Sequence, residues 1–327
     1  MPTGSVPTSS KRPGQSDFKI KMMNKTFRKL RLTGFILCGG MLFASAGWIK
    51  QEPASQLPLR RELKPGQAVI WYLYHSGWAV KTRNYLLIFD YTEPSERPTK
   101  RSLDSGSIDP AEIGAQNVTV FVSHRHSDHF DPLILGWRAA VKSIRYIWGW
   151  EGEGVPADIH FGSERRSVAV DGLEIMNIHH NFDGIPESAF LVKADGLTLL
   201  HAGDHGHSRG LENPAFKDNI LYLMEKAPRL DLFFTPTFGG EIDALRLLKP
   251  QAVFPMHDGG NERQYAKFAR KVKALGLDVE VGAAERAGAR FFYVKGTLVP
   301  NEKTCVCAGV QPTGQAKMRE DKKTNEG

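Results

Sequence analysis

A layered α/β fold, with two sheets packed face to face and helices on the outside, is what this sequence predicts. Three observations lead there. Apolar runs bounded by Gly, Asp and Asn read as strands through the first two thirds of the chain. Strand–helix units take over in the last third. With an N-terminal leader set aside, about 280 residues remain, enough for one large core, and no internal repeat or Ser/Gly linker divides them.

The leader is residues 1–46. Its first 21 residues are rich in Pro, Ser, Thr, Gly and Lys and show no apolar periodicity. From Met22 or Met23, either of which is a candidate start, Lys25, Arg28, Lys29 and Arg31 precede the uncharged, mostly apolar stretch Leu32–Ala46. That stretch closes on Ala44-Ser45-Ala46, a small-x-small cleavage pattern. Such a layout, over about residues 23–46, is that of a secretory signal peptide, and it is short for a membrane span. Export to the periplasm or medium is expected, with no stable membrane insertion after cleavage; an uncleaved N-terminal anchor is the alternative. Cys38 follows Leu37 rather than a small residue, which argues against a lipid-anchored cysteine. The leader also holds eight basic residues and one acidic, so the whole formal excess of +7 belongs to it. From Gly47 onward the chain is neutral, and a polyanion-binding surface is not indicated.

Residues 47–66 form a Pro- and charge-containing lead-in to one domain over 67–300. Val69–Tyr74 and Tyr85–Phe89 read as strands, with His75-Ser76-Gly77-Trp78 in the turn between them and Asp90 ending the second. Residues 92–116, rich in Pro, Ser and Asp, read as a long surface loop. Val118–Val122 is the next strand, and Pro132 opens a helical pattern. Ile144–Trp148 follows as a strand, then the Gly-rich acidic stretch Gly149–Gly154. Ser167–Val170 and Leu173–Ile178 are joined by Asp171-Gly172, a hairpin signal; Ala189–Val192 and Leu197–His201 are joined by Asp195-Gly196. Helices at Asn213–Lys226, Glu241–Leu248 and Asn261–Leu275 alternate with strands at Leu232–Phe234 and Ala252–Pro255, and Arg290–Val294 is the last strand. The tryptophans 71, 78, 137, 148 and 150 are expected in packing roles. Residues 301–327 are a polar tail expected to be disordered; Cys305 and Cys307, two apart, are poorly placed for an unstrained bridge.

The chemistry is expected in Ser123-His124-Arg125-His126-Ser127-Asp128-His129-Phe130-Asp131. Three histidines and two aspartates fall within eight residues directly after a buried strand. Imidazoles and carboxylates suit a borderline divalent ion such as zinc, and residues two apart on an extended loop can share one. Asp128 and His129 follow too closely to join the same tetrahedron, which suggests a second ion beside the first. The competing reading is a polar loop with surface histidines. Three later strands also end in candidate ligands: Ile178-His179-His180, Leu200-His201-Ala202-Gly203-Asp204 and Phe254-Pro255-Met256-His257. Ligands at several strand ends can converge on one sheet edge, and Gly203 lets the backbone come close.

The order H-x-H-x-D-H, His, G-D, P-M-H resembles the metallo-β-lactamase superfamily, and within it the L-ascorbate-6-phosphate lactonase-like metal-dependent hydrolases. Tyr74-His75-Ser76-Gly77, Leu87-Ile88-Phe89-Asp90-Tyr91 and Phe190-Leu191-Val192 add to the likeness, which covers about residues 67–295. It implies the αββα sandwich of that superfamily, two packed mixed sheets with outer helices. It further implies that His124, His126 and a third histidine hold one metal, that Asp128, His129 and His257 hold a second, and that Asp204 bridges them. His180 is preferred to His179 as the third histidine, since a strand alternates faces and only one neighbour can point inward. Asp90 and His75 are expected behind the ligands, where an acceptor on the far ring nitrogen orients an imidazole. His201 is expected as a satisfied strand residue, and His205 or His207 as a candidate for facing substrate.

The chemistry such a site implies is hydrolysis by metal-bound hydroxide, since two divalent ions lower the pKa of a shared water to about 7. The expected target is an ester, lactone or phosphoester of a small molecule, with Asp128 also orienting the nucleophile or accepting its proton. Zinc is the expected metal, manganese or iron the alternatives. A phospholipase-D-like phosphodiesterase acting on lipids is the runner-up; an iron-dependent redox protein and a non-catalytic metal-binding module are the other classes. No Gly-rich phosphate loop of the G-x-x-x-x-G-K-[ST] kind is present.

Overall fold

The computed structural model describes residues 57–300 apart from 153, 182, 183 and 295. The expected signal peptide, the lead-in up to 56, Cys38 and the polar tail with Cys305 and Cys307 lie outside the described residues. Among the described residues no helix is long and apolar enough to cross a membrane.

A short helix, α1 (Leu57–Arg60), leads into a sheet of eight strands: β1 (Gln67–Tyr74), β2 (Gly77–Lys81), β3 (Leu86–Phe89), β4 (Asn117–Val122), β5 (Ser143–Trp148), β6 (Ile159–His160), β14 (Arg290–Val294) and β15 (Thr297–Pro300). Their spatial order is β15-β14-β1-β2-β3-β4-β5-β6, antiparallel up to β3 and parallel from β3 onward. The second sheet holds β7 (Ser167–Val170), β8 (Leu173–His180), β9 (Glu187–Ala194), β10 (Leu197–His201), β11 (Leu232–Pro236), β12 (Ala252–Met256) and β13 (Glu280–Val281). It runs β13-β12-β11-β10-β9-β8-β7, parallel from β10 to β13 and antiparallel elsewhere. The helices α2 (Pro214–Lys226), α3 (Glu241–Leu248) and α4 (Arg263–Ala274) connect the parallel strands of this sheet. These are the two mixed sheets with outer helices expected from the sequence.

One hydrophobic cluster fills the space between the sheets and continues under the helices. It joins Tyr72, Trp78, Leu87, Phe89 and Phe121 of the first sheet to Ile175, Phe190, Val192, Phe234 and Phe254 of the second. Trp78 is its hub, with its ring centroid 5.1 Å from those of Tyr72 and Phe254 and 5.2 Å from that of Phe234. The helices add Phe216, Ile220 and Leu223 of α2, Leu245 and Leu248 of α3, and Phe268 and Val272 of α4. A second cluster lies on the other face of the first sheet, around Val69, Trp71, Leu73, Leu86 and Ile88.

Three local expectations differ from what is found. The turn expected after β1 is only two residues long, and Gly77–Lys81 returns at once as β2, fully buried. Five residues with no polar alternation carry little strand signal; the burial of Trp78 against both sheets makes this strand. The helix opened by Pro132 is a 3₁₀ helix, Pro132–Ala139, capped by the Asp131 side chain accepting from Leu133 N–H. The segment 92–116 is no free surface loop either: Leu103, Ile108 and Ile113 are buried, and Asp104 accepts from the Trp71 indole at 2.8 Å. It covers the outer face of the first sheet, which is too apolar to meet water.

Candidate metal centre

Every candidate ligand sits at the end of a strand or in the loop directly after it, and both sheets deliver them to one edge of the sandwich. From the first sheet come His75 after β1, Asp90 after β3, and the loop after β4 with His124, His126, Asp128 and His129. From the second come His180 at the end of β8, Asp204 after β10 and His257 after β12. His75, Asp90 and His257 all adopt left-handed backbone conformations, with φ of 49°, 41° and 66°. Gly203 packs closely against the site. A Cβ there would lie 2.3 Å from Glu187 Oε1 and 2.7 Å from Ser123 Cβ, so only glycine lets the Asp204 loop descend this far.

The Asp204 carboxylate stands between two groups of imidazoles. Its Oδ2 is 3.8 Å from His124 Nε2, and its Oδ1 is 3.2 Å from His129 Nε2 and 3.1 Å from His257 Nε2. His126 Nδ1 lies 2.8 Å from His124 Nε2. His124, His129 and Asp204 bring one ligand-type atom each within 4.8 Å of one another, and so do His75, Asp128, His129 and His257. His126 and His180 stand outside both of these groups. His180 reaches the same edge, with its Nε2 3.7 Å from Glu187 Oε1 and its ring edge-on to that of His205. His179 is half-buried where His180 is buried, as alternation along β8 requires.

Partners on the far side of each ring fix the tautomers. Asp90 Oδ2 accepts from His129 Nδ1 at 2.8 Å and from Ser123 Oγ at 2.7 Å, while its Oδ1 accepts from Ser123 N–H. In the neutral ring the His129 proton therefore sits on Nδ1, and the Nε2 lone pair faces Asp204. On the other side, Glu187 Oε1 lies 3.3 Å from His124 Nδ1, pointing His124 Nε2 outward, and accepts from Asp204 N–H. Glu187 is fully buried and escapes sequence reading, because a lone glutamate opening a strand looks like a surface residue. Ser123, tied to Asp90 and the His124 ring, reads in the sequence only as the residue preceding the ligand run.

Electrostatics and donor geometry both favour a cation here. Burial alone would push the Asp204 carboxyl up, but His129 and His257 hold it well below the ordinary carboxylate range. Burial opposes a charge on His129 too, yet the carboxylates of Asp90 and Asp204 raise it well above the usual histidine value. Burial pushes the Glu187 carboxyl up. Among the described residues, His129 Nε2 and Asp204 Oδ1 are buried and make no hydrogen bond, although they lie 3.2 Å apart. With His129 neutral, its Nε2 lone pair and those of Asp204 face a common point, the donor set a divalent ion needs.

The remaining histidines have other work. His201 donates from Nε2 to Ser76 O at 2.9 Å and lies flat on Phe89, the satisfied strand residue expected. His205 is buried, stacks on Phe216, and its Nε2 accepts from Asn219 Nδ2 at 3.0 Å; it does not face an open site. His207 Nδ1 accepts from Arg209 N–H. Burial drives His205 down to about 3. Between pH 6.5 and 3 the unfolded chain therefore takes up a proton that the native state refuses, so stability falls as pH drops through that window. At about 1.4 kcal/mol per pH unit the loss reaches a few kcal/mol. His205→Gln, compared with wild type in chelator by denaturant titration from about pH 7 to 4, is expected to flatten this acid limb.

Known proteins are similar to this chain. The family model of a beta-lactamase superfamily domain matches residues 69–257. The chain is 26% identical over 232 residues to a UPF0173 metal-dependent hydrolase of Opitutus terrae, covering 64% of this chain and 94% of that protein. It is 33% identical over 179 residues to a UPF0173 metal-dependent hydrolase of Heliobacterium modesticaldum, covering 48% and 73%. Among solved structures it is similar to Igni18, a metallo hydrolase from Ignicoccus hospitalis, with 18% identity over 70% of this chain and 99% of that one and a TM-score of 0.48.

Proposed function

The chain belongs to the metallo-β-lactamase superfamily and is a metal-dependent hydrolase of it; from that premise we propose that it uses two divalent ions, zinc foremost, to hydrolyse an ester, lactone or phosphoester bond of a small molecule. The single observation that carries the two-ion reading is the Asp204 carboxylate, with one oxygen toward His124 and the other toward His129 and His257. On this reading His124, His126, His180 and Asp204 hold one ion, and Asp128, His129, His257 and Asp204 the other. Bound ions of this kind activate water near neutral pH and polarise the oxygen that gains charge.

The chain's own residues supply the rest. Asp90 and Glu187 keep His129 and His124 in the tautomers that leave Nε2 bare. Asp128, with its side chain half exposed at the mouth, is the carboxylate placed to orient the attacking water and take its proton. The test is chelation. Protein stripped of metal is expected to lose turnover on a panel of lactones, aryl esters and bis-aryl phosphodiesters, and to regain it as about two equivalents of zinc are restored. Undiminished turnover after stripping, or iron as the one metal that restores it, would overturn the reading.

A further inference from the structure

His75 is one of the residues whose ligand-type atoms gather at the site, and by distance alone it is a candidate to join Asp128, His129 and His257 around an ion. Its hydrogen bonds say otherwise. Gly259 N–H donates to His75 Nδ1 at 2.9 Å, so Nδ1 carries a lone pair and the proton of the neutral ring sits on Nε2. That Nε2 is buried, makes no hydrogen bond among the described residues, and faces Asp128 Oδ2 at an ion-pair distance of 3.3 Å. A ring ligating through Nε2 would have to move its proton to Nδ1, where it would meet the Gly259 N–H head-on.

The placement of the ring is over-determined. His75 O accepts from His257 N–H and from the Tyr265 hydroxyl, each at 3.2 Å, and the Tyr74 hydroxyl donates to Gly259 O. The turn of the first sheet and the loop after β12 thus hold each other. Asp128 has no such support: it sits on an exposed loop, and no other ionisable side chain among the described residues forms an ion pair with it. A flexible carboxylate beside a fixed N–H donor is a pair in which the donor sets the orientation.

We propose that His75 is a positioning residue rather than a metal ligand: with its proton on Nε2 it holds Asp128 Oδ2 and leaves Oδ1 free for the second ion. The inference rests on Asp128 being a ligand, as read above. Two substitutions separate the contacts. In His75→Asn the amide oxygen overlays Nδ1 and keeps the Gly259 bond but cannot reach Asp128, whereas in His75→Gln the amide N–H reaches Asp128.

The test combines long-range ¹H–¹⁵N spectra of the histidine rings of the full chain, without metal and after zinc, with zinc-binding isotherms of both variants. The His75 resonance, identified by its absence in the variants, is expected to show a protonated Nε2 and a bare Nδ1 in both states. His75→Asn is expected to weaken the second zinc about 10- to 100-fold and leave the first unchanged, and His75→Gln to recover most of that loss. A bare Nε2 in either state, or a His75→Asn protein that binds both zinc ions as wild type does, overturns the inference. If wild type binds no zinc, the two-ion reading falls, while the metal-free spectrum still decides which nitrogen holds the proton.

Discussion

Asp204→Asn is expected to abolish turnover, with kcat/KM falling about 10³-fold or more while the protein remains folded. Removing a single preorganised electrostatic group already costs about 10²–10³ in kcat. Asp204 does more than one such group, because its two oxygens face both sets of imidazoles. Asparagine keeps the shape and one carbonyl oxygen but replaces the other with an amide that has no lone pair to offer. It also removes the negative charge that offsets His129 and His257. Zinc per chain by elemental analysis should fall in parallel with the rate, and a far-UV spectrum like that of wild type would show that the sheets persist. An Asp204→Asn protein that keeps full metal content and wild-type kcat/KM would refute the placement of the site.

The second large effect is expected at Glu187. Its carboxylate is fully buried and holds two groups at once, the His124 ring and the Asp204 N–H. Glu187→Ala leaves the Asp204 N–H without its acceptor and His124 Nδ1 with the Ser123 hydroxyl alone, in a place water does not reach. Breaking a buried pair by deleting one partner costs about 3–5 kcal/mol, and loss of a group that orients a ligand costs about 10- to 100-fold in metal affinity. Glu187→Gln keeps one acceptor oxygen, so most of the stability should return, but the weaker acceptor should leave part of the affinity loss. Urea denaturation and zinc titration of the two variants check these outcomes. Equal stability for wild type and Glu187→Ala would show that the contact is unimportant.

Much of this was legible in the order of residues, and the rest was not for physical reasons. The strand–helix units at the end of the chain read well because their apolar periods switch cleanly: Glu241–Leu248 and Arg290–Val294 fall where the pattern puts them. The His- and Asp-rich run after β4 stands out in the sequence because side chains of that chemistry crowd together for few other reasons. By contrast, β2 is made by what Trp78 packs against, and that contact lies between sheets far apart in sequence. The 3₁₀ form of 132–139 reflects competition between backbone bonding patterns that side-chain periodicity does not encode. Glu187 was invisible because its role depends on register: it lies opposite His180 across β8 and β9, and that pairing brings it beneath the site. For His75 the type of residue could be read and its proton could not, since the backbone amide that fixes the tautomer belongs to Gly259, far along the chain.

The left-handed backbones of His75, Asp90 and His257 have an evolutionary consequence. Each of these residues holds its main chain where an L-side chain costs about 1–3 kcal/mol and glycine costs far less. Selection for robustness alone would drift these positions toward glycine and make a tougher, inert protein. Holding His, Asp and His there exchanges ruggedness for chemistry at three points, and a heat-hardened variant of this scaffold has to be improved elsewhere.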